Sequence, residues 1–358
     1  MIQFSTISQH EIPQAIELAK SIFKENMAEQ FVRLYSVDNR NHIFIAKNES
    51  GEICSLLCYY PSQVEINGVQ LSVGSVGSVC TKMEYRGQKL ASTLLEMAYH
   101  QMRIEHISVA LISGAGGIYE ASGAIKAGSI QRYHLSKGDL PELTSELTIR
   151  LATKNDWIQM YHIHQKEKVR FLRNEDEFVD LYTSQTYPDL YQTYPVYVVE
   201  KKGQTTGYLV TCNNPNNSSL DVREYAGERR DLLDAFGAII TREGKEGLSL
   251  SVPILDEFCD LLKPFPYQII GQEASLKIVN PQLLWQQVKP LFPSQFEFVV
   301  EKETIYKVIL NSKTIITFEN PIPFTRFIFG PISKDSTPEN IQGIVPIPFP
   351  WSHGLNYQ

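Results

Sequence analysis

The feature that most constrains the fold of this chain is that its pattern begins twice. Ile2-Gln3-Phe4-Ser5-Thr6 reads as a strand, and Ile12, Ile16 and Phe23 then begin an apolar stripe at helical spacing, with Ser8 as a plausible cap. Ile149-Arg150-Leu151-Ala152-Thr153, followed by Asp156, Ile158 and Tyr161, repeats that opening. The hairpin pattern VYVVEKKGQTTGYLVTC at 196–212, with Gly203 and Gly207 near its turn, echoes the one at 43–58. The offset is 149 − 2 = 147 at the openings and 196 − 43 = 153 at the hairpins. A duplicated α+β domain explains this directly; two unrelated α+β domains with similar openings are the alternative. At 358 residues the chain has room for two or three domains, and 43% hydrophobic residues supply their cores.

Charge and cysteine usage narrow the function. Formal charge is 33 − 40 = −7 and no strong basic run occurs, which argues against duplex DNA or RNA as principal partner. No apolar run reaches the roughly 18 residues of a membrane span. Glu11, Pro13 and Glu17 interrupt the stretch that a secretory leader keeps apolar. Cys54, Cys58, Cys80, Cys212 and Cys259 are odd in number and scattered, with neither a CxxC nor a zinc spacing. The expectation is a soluble cytoplasmic protein without a disulfide framework or a metal, and without a nucleic-acid or membrane partner.

Within the first repeat, two hairpins are expected, with turns at Glu49-Ser50-Gly51-Glu52 and Asn67-Gly68. The second hairpin's outgoing strand, LSVGSVGSVCTK, leads into the segment with the strongest chemical content, Ser78-Val79-Cys80-Thr81-Lys82-Met83-Glu84-Tyr85-Arg86-Gly87-Gln88-Lys89-Leu90-Ala91-Ser92. A strand here runs into a short loop that opens an amphipathic helix. Helix starts present unpaired N–H groups and the positive end of the dipole, so they attract anions. Arg86 adds a cation, while Gly87 and Ala91 let a ligand approach the backbone closely. Pyrophosphate binding is the chemistry this suggests.

This segment resembles the signature of the GCN5-related N-acetyltransferases, Arg/Gln-x-x-Gly-x-Gly/Ala after a strand and at the start of a helix. Arg86 and Ala91 match it; Lys89 stands where the central Gly belongs, so the turn must take a conformation that a lysine can adopt or tolerate some strain. Gly116-Gly117-Ile118-Tyr119-Glu120 after the next strand is similar to a Gly-Ile-Tyr stretch of members related to the enhanced intracellular survival acetyltransferases. The resemblance implies tandem GNAT-like domains, each with a mixed, mostly antiparallel sheet flanked by helices, plus a small C-terminal α/β domain resembling sterol carrier proteins. The expected boundaries are 1–144, 145–272 and 273–358.

The resemblance also implies roles. Acetyl-CoA is the cosubstrate, held by Val79, Cys80, Thr81, Arg86, Gly87, Gln88, Lys89, Leu90, Ala91 and Ser92. Tyr119 is the candidate acid that protonates the leaving thiolate, packing on the cofactor being its alternative role. The α-carboxylate of Gln358 is the candidate base, with subunit packing by the tail as the alternative. The acceptor is a small amine: a polyamine, an aminoglycoside-like compound or a lysine side chain. Glu25, Glu29 and Phe31 are weak candidates for recognising it, or else a solvated helix face. A homo-oligomer is implied, with a hexamer as one arrangement. Cys80 reads as a small buried residue rather than a nucleophile, and His100 and His106 as surface or capping residues. The rival function is a catalytically silent acyl-CoA-binding or sterol-carrier-like sensing module, which Lys89 favours.

In the second repeat the corresponding stretch is SLDVREYAGERRDLLDAFGAII. Glu224 and Glu228 there are expected to repel phosphate, leaving this domain as scaffold. From about residue 275 a strand and helix (LKIVNPQLLWQQVKPLF), further strands and a short helix (PFTRFIFG) are expected. The apolar, Pro-stiffened tail IVPIPFPWSHGLNYQ is expected to pack against something.

Overall fold

The computed structural model describes residues 1–114, 116–186, 192–301, 305–331 and 343–356. The chain opens with β1 (Gln3–Thr6), α1 (Ile12–Phe23), α2 (Met27–Gln30), β2 (Ile43–Lys47), β3 (Ile53–Ile66), β4 (Val69–Thr81), α3 (Leu90–Ile104), β5 (Val109–Ile112) and α4 (Gly117–Ala121). There follow β6 (Ile130–Ser136), β7 (Leu147–Leu151), α5 (Trp157–His164), β8 (Val169–Leu172), α6 (Glu175–Gln185), β9 (Val196–Lys201), β10 (Gln204–Cys212), β11 (Ser219–Gly227), α7 (Arg229–Arg242), β12 (Gly247–Pro253), α8 (Phe258–Leu261) and β13 (Tyr267–Ile270). The last elements are β14 (Ser275–Ile278), α9 (Pro281–Val288), β15 (Phe296–Glu301), β16 (Ile305–Leu310), β17 (Lys313–Phe318) and α10 (Pro321–Phe329). The fold is mixed α+β with mostly antiparallel sheets.

These elements form two compact units, each discontinuous in sequence. The first holds Met1–Ala127 and Gln272–Pro346, the second Gly128–Gly271 and Ile347–Asn356. The first division falls after Ala127 and not after 144, the second falls after Gly271, within one residue of the expected boundary, and Gln272–Pro346 groups with the first unit. Strand pairing explains the difference. β6, which lies before the expected boundary at 144, runs antiparallel to β12 from Ser136↔Gly247 to Ile130↔Pro253. β14 runs antiparallel to β5 from Ser275↔Ile112 to Ile278↔Val109. Backbone groups in a sheet need partners wherever they are buried, and these strands find theirs far away in sequence.

In the first unit the strand order is β1-β2-β3-β4-β5-β14. All neighbours are antiparallel except β4 and β5, which are parallel. One face packs on α1 and α2 through Ile12, Leu18, Met27, Ile45 and Leu56. On the other, Leu94, Leu95, Ala98, Tyr99 and Met102 of α3 meet Phe44, Leu57, Tyr59 and Val76. Helix α1 is entered through a capping box in which Ser8 and Glu11 satisfy each other's backbone donors. Also in this unit, β15-β16-β17 form an antiparallel sheet beside α9 and α10. Its core is aromatic, with Trp285 and Phe298 centroids 4.5 Å apart and Tyr306 stacked on Phe324 at 4.5 Å. Gln287 of α9 donates to Ser72 of β4 at 3.0 Å.

The second unit has the order β13-β6-β12-β11-β10-β9-β7. From β7 through β12 to β6 the directions match those from β1 through β5 to β14, with the single parallel pair again between the fourth and fifth strands, β11 and β12.

Candidate active site

Strands β4 and β5 separate. Their pairing runs from Val73↔Val109 to Val76↔Ile112 and ends when Ser113 donates its N–H to Val76 O at 3.1 Å. Just beyond, β4 bulges: Gly77 faces Cys58 and Cys80 faces Leu56, with Ser78 at φ 53°. A bulge inserts residues into one strand and bends it. Lys82 N–H bonds to Cys54 O at 2.9 Å, so by alternation Val79 and Thr81 turn their N–H and C=O away from β3. The outward edge of β4 is left as a hydrogen-bonding rail for an extended ligand.

Residues 82–89 follow the rail and bring the start of α3 across its end. Arg86, exposed, donates from Nε to Thr81 O at 3.3 Å. Gly87 lies at φ 79° with no atom within 4 Å of where a Cβ would stand. Lys89 is the N-cap of α3 and adopts the left-handed conformation, φ 61° and ψ 20°. The missing glycine is thus replaced by a lysine in the backbone geometry a glycine would favour, at a cost of about 1–2 kcal/mol. Its side chain is exposed, and the first-turn amides of a helix start lack partners within the helix and suit an anion.

A cavity of about 830 Å³ occupies the split. It is lined by Val79, Cys80, Thr81, Arg86, Gly87, Lys89, Leu90, Ala91, Ser92 and Tyr119, all anticipated from sequence. Gln88 is exposed and not among the lining residues. Glu25 and Phe31 line it and Glu29 does not. Gln358 lies outside the described residues. His100 and His106 are exposed and away from the cavity. His106, at φ 56°, follows α3, and the next residue's N–H returns to Met102 O at 2.8 Å, so it caps the helix. Burial pushes the Cys80 thiol up to about 12, which suits a packing residue and not a nucleophile. All five cysteines are free.

Sequence reasoning missed Ile22, Phe23, Met27 and Gln30 on one wall and Ser113 and Gly114 at the end of β5. The helical stripe marks Phe23 as apolar without saying that it borders a cavity. Tyr119 is buried at 8% exposure on α4, against the cluster that holds Tyr99, Ala124 and Ile112.

The corresponding junction in the second unit differs. β11 leaves β12 after Asp221↔Ser249 and bulges at Arg223, so the split is preserved. Only Glu228 separates β11 from α7, and the loop that would meet phosphates is missing. Glu167 accepts from Gly227 N–H at 2.8 Å and from Arg229 Nη1 at 3.0 Å, and Asp256 accepts from Arg229 Nε at 3.0 Å. Glu224 lines what is left of the split, but its charge is paired there. It accepts from Arg173 Nη1 at 3.0 Å and from Tyr208 at 2.8 Å. Burial alone would push its carboxyl up, but the Arg173 guanidinium outweighs that and holds it down. The expected repulsion by Glu224 is replaced by internal pairing.

The tail Ile347–Asn356 fills what remains. Asn356 accepts from Arg173 Nε at 2.8 Å, His353 lies 2.9 Å from Arg223 Nη1, and Phe349 packs edge-on against Phe171. Gly354 sits so close to Arg223 that a Cβ there would be 3.1 Å from its carbonyl. A cavity of only about 70 Å³ is left.

A strand bent by a bulge, a parallel neighbour diverging from it and a helix start across the opening together form one open cleft. Residues 3–125 match the family model of the acetyltransferase (GNAT) domain, and this part of the chain is such a domain. Over 91 residues the chain is 30% identical to N-alpha-acetyltransferase 30 of Saccharomyces cerevisiae, covering 24% of this chain. It spans about half, 52%, of that protein's length. Among solved structures, the fold is similar to a conserved Enterococcus faecalis protein described as a probable N-acyltransferase (TM-score 0.70, 14% identity, 97% of this chain and 93% of that one). It is also similar to Eis1 from Mycobacterium abscessus (TM-score 0.68, 13% identity, 97% of each chain). Among the described residues no helix is long and apolar enough to cross a membrane.

Proposed function

We propose that this protein is an acetyl-CoA-dependent N-acetyltransferase acting on a primary amine, with one cosubstrate site in the first unit. The observation that carries this reading is the open split of β4 and β5, closed at one end by the α3 start and lined by Tyr119, within the segment that matches the acetyltransferase domain. The rail of Val79 and Thr81 suits the amide-bearing arm of CoA, and Arg86 with the α3 amides suits its pyrophosphate. The amine nitrogen attacks the thioester carbon directly and the C–S bond breaks. The Tyr119 hydroxyl donates a proton to the departing sulfur. An amine is largely protonated at neutral pH, so a base must take its proton. That base must lie within reach of the amine in the cleft.

Glu25 is the one carboxylate among the described lining residues, beside Ile22, Phe23, Met27 and Phe31. That composition supports an acceptor with one cationic centre on an apolar body, such as a lysine side chain or a peptide's terminal amine, over a polyamine or aminoglycoside. The second sheet repeats the first in order and direction, which supports a tandem, degenerate GNAT-like half acting as scaffold. A sterol-carrier-like relationship for the β15–β17 region, a homo-oligomeric assembly and a cytoplasmic location belong to the same reading. Thiol release from acetyl-CoA with polyamines, aminoglycosides and lysine peptides tests it. Turnover with at least one amine is expected, and Tyr119→Phe should lower kcat on the order of 10²-fold while acetyl-CoA affinity is kept. Acetyl-CoA binding with no turnover on any amine would favour the silent acyl-CoA-binding module.

A further inference from the structure

Tyr119 sits on a helix too short to hold itself, and its support comes from elsewhere in the first unit. Helix α4 spans Gly117–Ala121 and ends at Ser122. Ser122 Oγ donates to Tyr119 O at 2.7 Å and lies 2.9 Å from the Tyr99 hydroxyl of α3. Ala124 N–H returns to Tyr119 O at 3.0 Å. Lys277 of β14 donates from Nζ to the Ser122 carbonyl and rests 5.0 Å from the centre of the Tyr99 ring. The cation thus stands at the C-terminal end of α4, where the helix dipole favours positive charge. Isolated one-turn helices are unstable in water, so α4 depends on contacts with its surroundings such as these.

Lys277 is well placed to matter. Its strand is locked to the segment after α4 by the bridge between Leu276 and Ile125, with bonds of 3.0 Å and 2.7 Å. Burial pushes its ammonium down from the ordinary lysine value. Burying a lysine opposes folding unless the charge finds partners, and here they are a backbone carbonyl and an aromatic face.

We propose that Lys277 is a positioning residue for Tyr119, acting through Ser122 and Tyr99. The proposal rests on the acetyl-transfer reading for its effect on rate, whereas its effect on α4 is independent of that reading. The test compares Lys277→Met, Lys277→Arg and Ser122→Ala in the full chain by hydrogen–deuterium exchange and steady-state kinetics. In Lys277→Met the amides of 117–124 should exchange faster while those of β4 and β5 are unchanged. kcat should fall about tenfold through misplacement of the phenol, with acetyl-CoA affinity kept. Lys277→Arg, which retains charge and reach, should recover most of both. Ser122→Ala removes only a hydroxyl and should loosen the same amides, which keeps the question decidable if Lys277→Met does not fold. Unchanged exchange at 117–124 in the folded variants overturns the proposal, as does an active enzyme whose kcat is indifferent to Lys277→Met. If the wild-type protein acetylates no amine, the functional reading fails and the exchange result still decides whether Lys277 holds α4.

Discussion

The β4–α3 and β11–α7 junctions share a strand order, a bulge and a diverging parallel neighbour, yet one encloses a cavity of about 830 Å³ and the other about 70 Å³. Two changes separate them. Residues 82–89 bridge the first strand to its helix, whereas Glu228 alone bridges the second. The first split is open, and the second is occupied by Glu167, Arg229, Asp256 and the tail. The sheet topology creates a cleft in both cases; the loop and what fills the cleft determine whether a ligand can enter. Fold alone therefore does not confer a binding site.

The largest expected contrast is between two glycines at these junctions. Gly227 lies at φ 109°, and a Cβ there would stand 2.1 Å from Thr206 O. Gly227→Ala should destabilise the chain by more than about 4 kcal/mol or prevent folding, since backbone must move. Gly87, at φ 79° in open space, should cost only about 1 kcal/mol as alanine. Chemical denaturation compares the two; similar losses would mean that the second junction is not the tighter one.

Acid should separate the junctions next. Burial pushes His164 down to about 3, with Arg173 adding to it, and His353 down to about 3, with Arg223 adding to it. Both belong to the filled split. A histidine kept neutral in the folded chain takes up a proton on unfolding once pH falls below its ordinary value near 6.5. Stability is therefore unaffected by these groups above about pH 6.5. It declines as pH falls toward 3, by up to about 1.4 kcal/mol per pH unit for each histidine. Hydrogen exchange across pH 7 to 4 should show β11 and 347–356 losing protection before β4 and α3. Simultaneous loss would contradict the assignment.

The smallest effect concerns Lys89. Lys89→Gly removes left-handed strain but adds freedom to the unfolded chain, so a gain of under about 1 kcal/mol is expected, with acetyl-CoA affinity at least preserved. A clear loss of stability would mean that the lysine side chain contributes more than its backbone costs.

What could be read from the sequence follows the range of the interactions involved. The strand, loop and helix at Val79–Ser92 and the tyrosine at 119 are local patterns, and the structure brings every candidate named from them except Gln88 to one cavity. The restart near residue 149 marked a second sheet whose strand order matches the first. The placement of β6 and β14 was not legible, because a short apolar strand carries no mark of which distant strand will pair with it. The tail was recognisably apolar and stiff, but its position beside Arg173 and Arg223 depends on contacts across more than a hundred residues. The phosphate repulsion expected of Glu224 takes no account of its partner, Arg173, because that residue is remote in sequence. In the wall formed by Ile22, Phe23 and Met27, the sequence pattern marks only Phe23, as part of an apolar helical stripe, because the cavity it borders is closed by residues remote in sequence.

Titration calorimetry of the full chain with acetyl-CoA tests the contrast between the two clefts most directly. One site per chain is expected, weakened by about 1–3 kcal/mol in Arg86→Glu, where a like charge meets the pyrophosphate. Two sites per chain, or an affinity indifferent to Arg86→Glu, would contradict the assignment of the open cleft as the sole cosubstrate site.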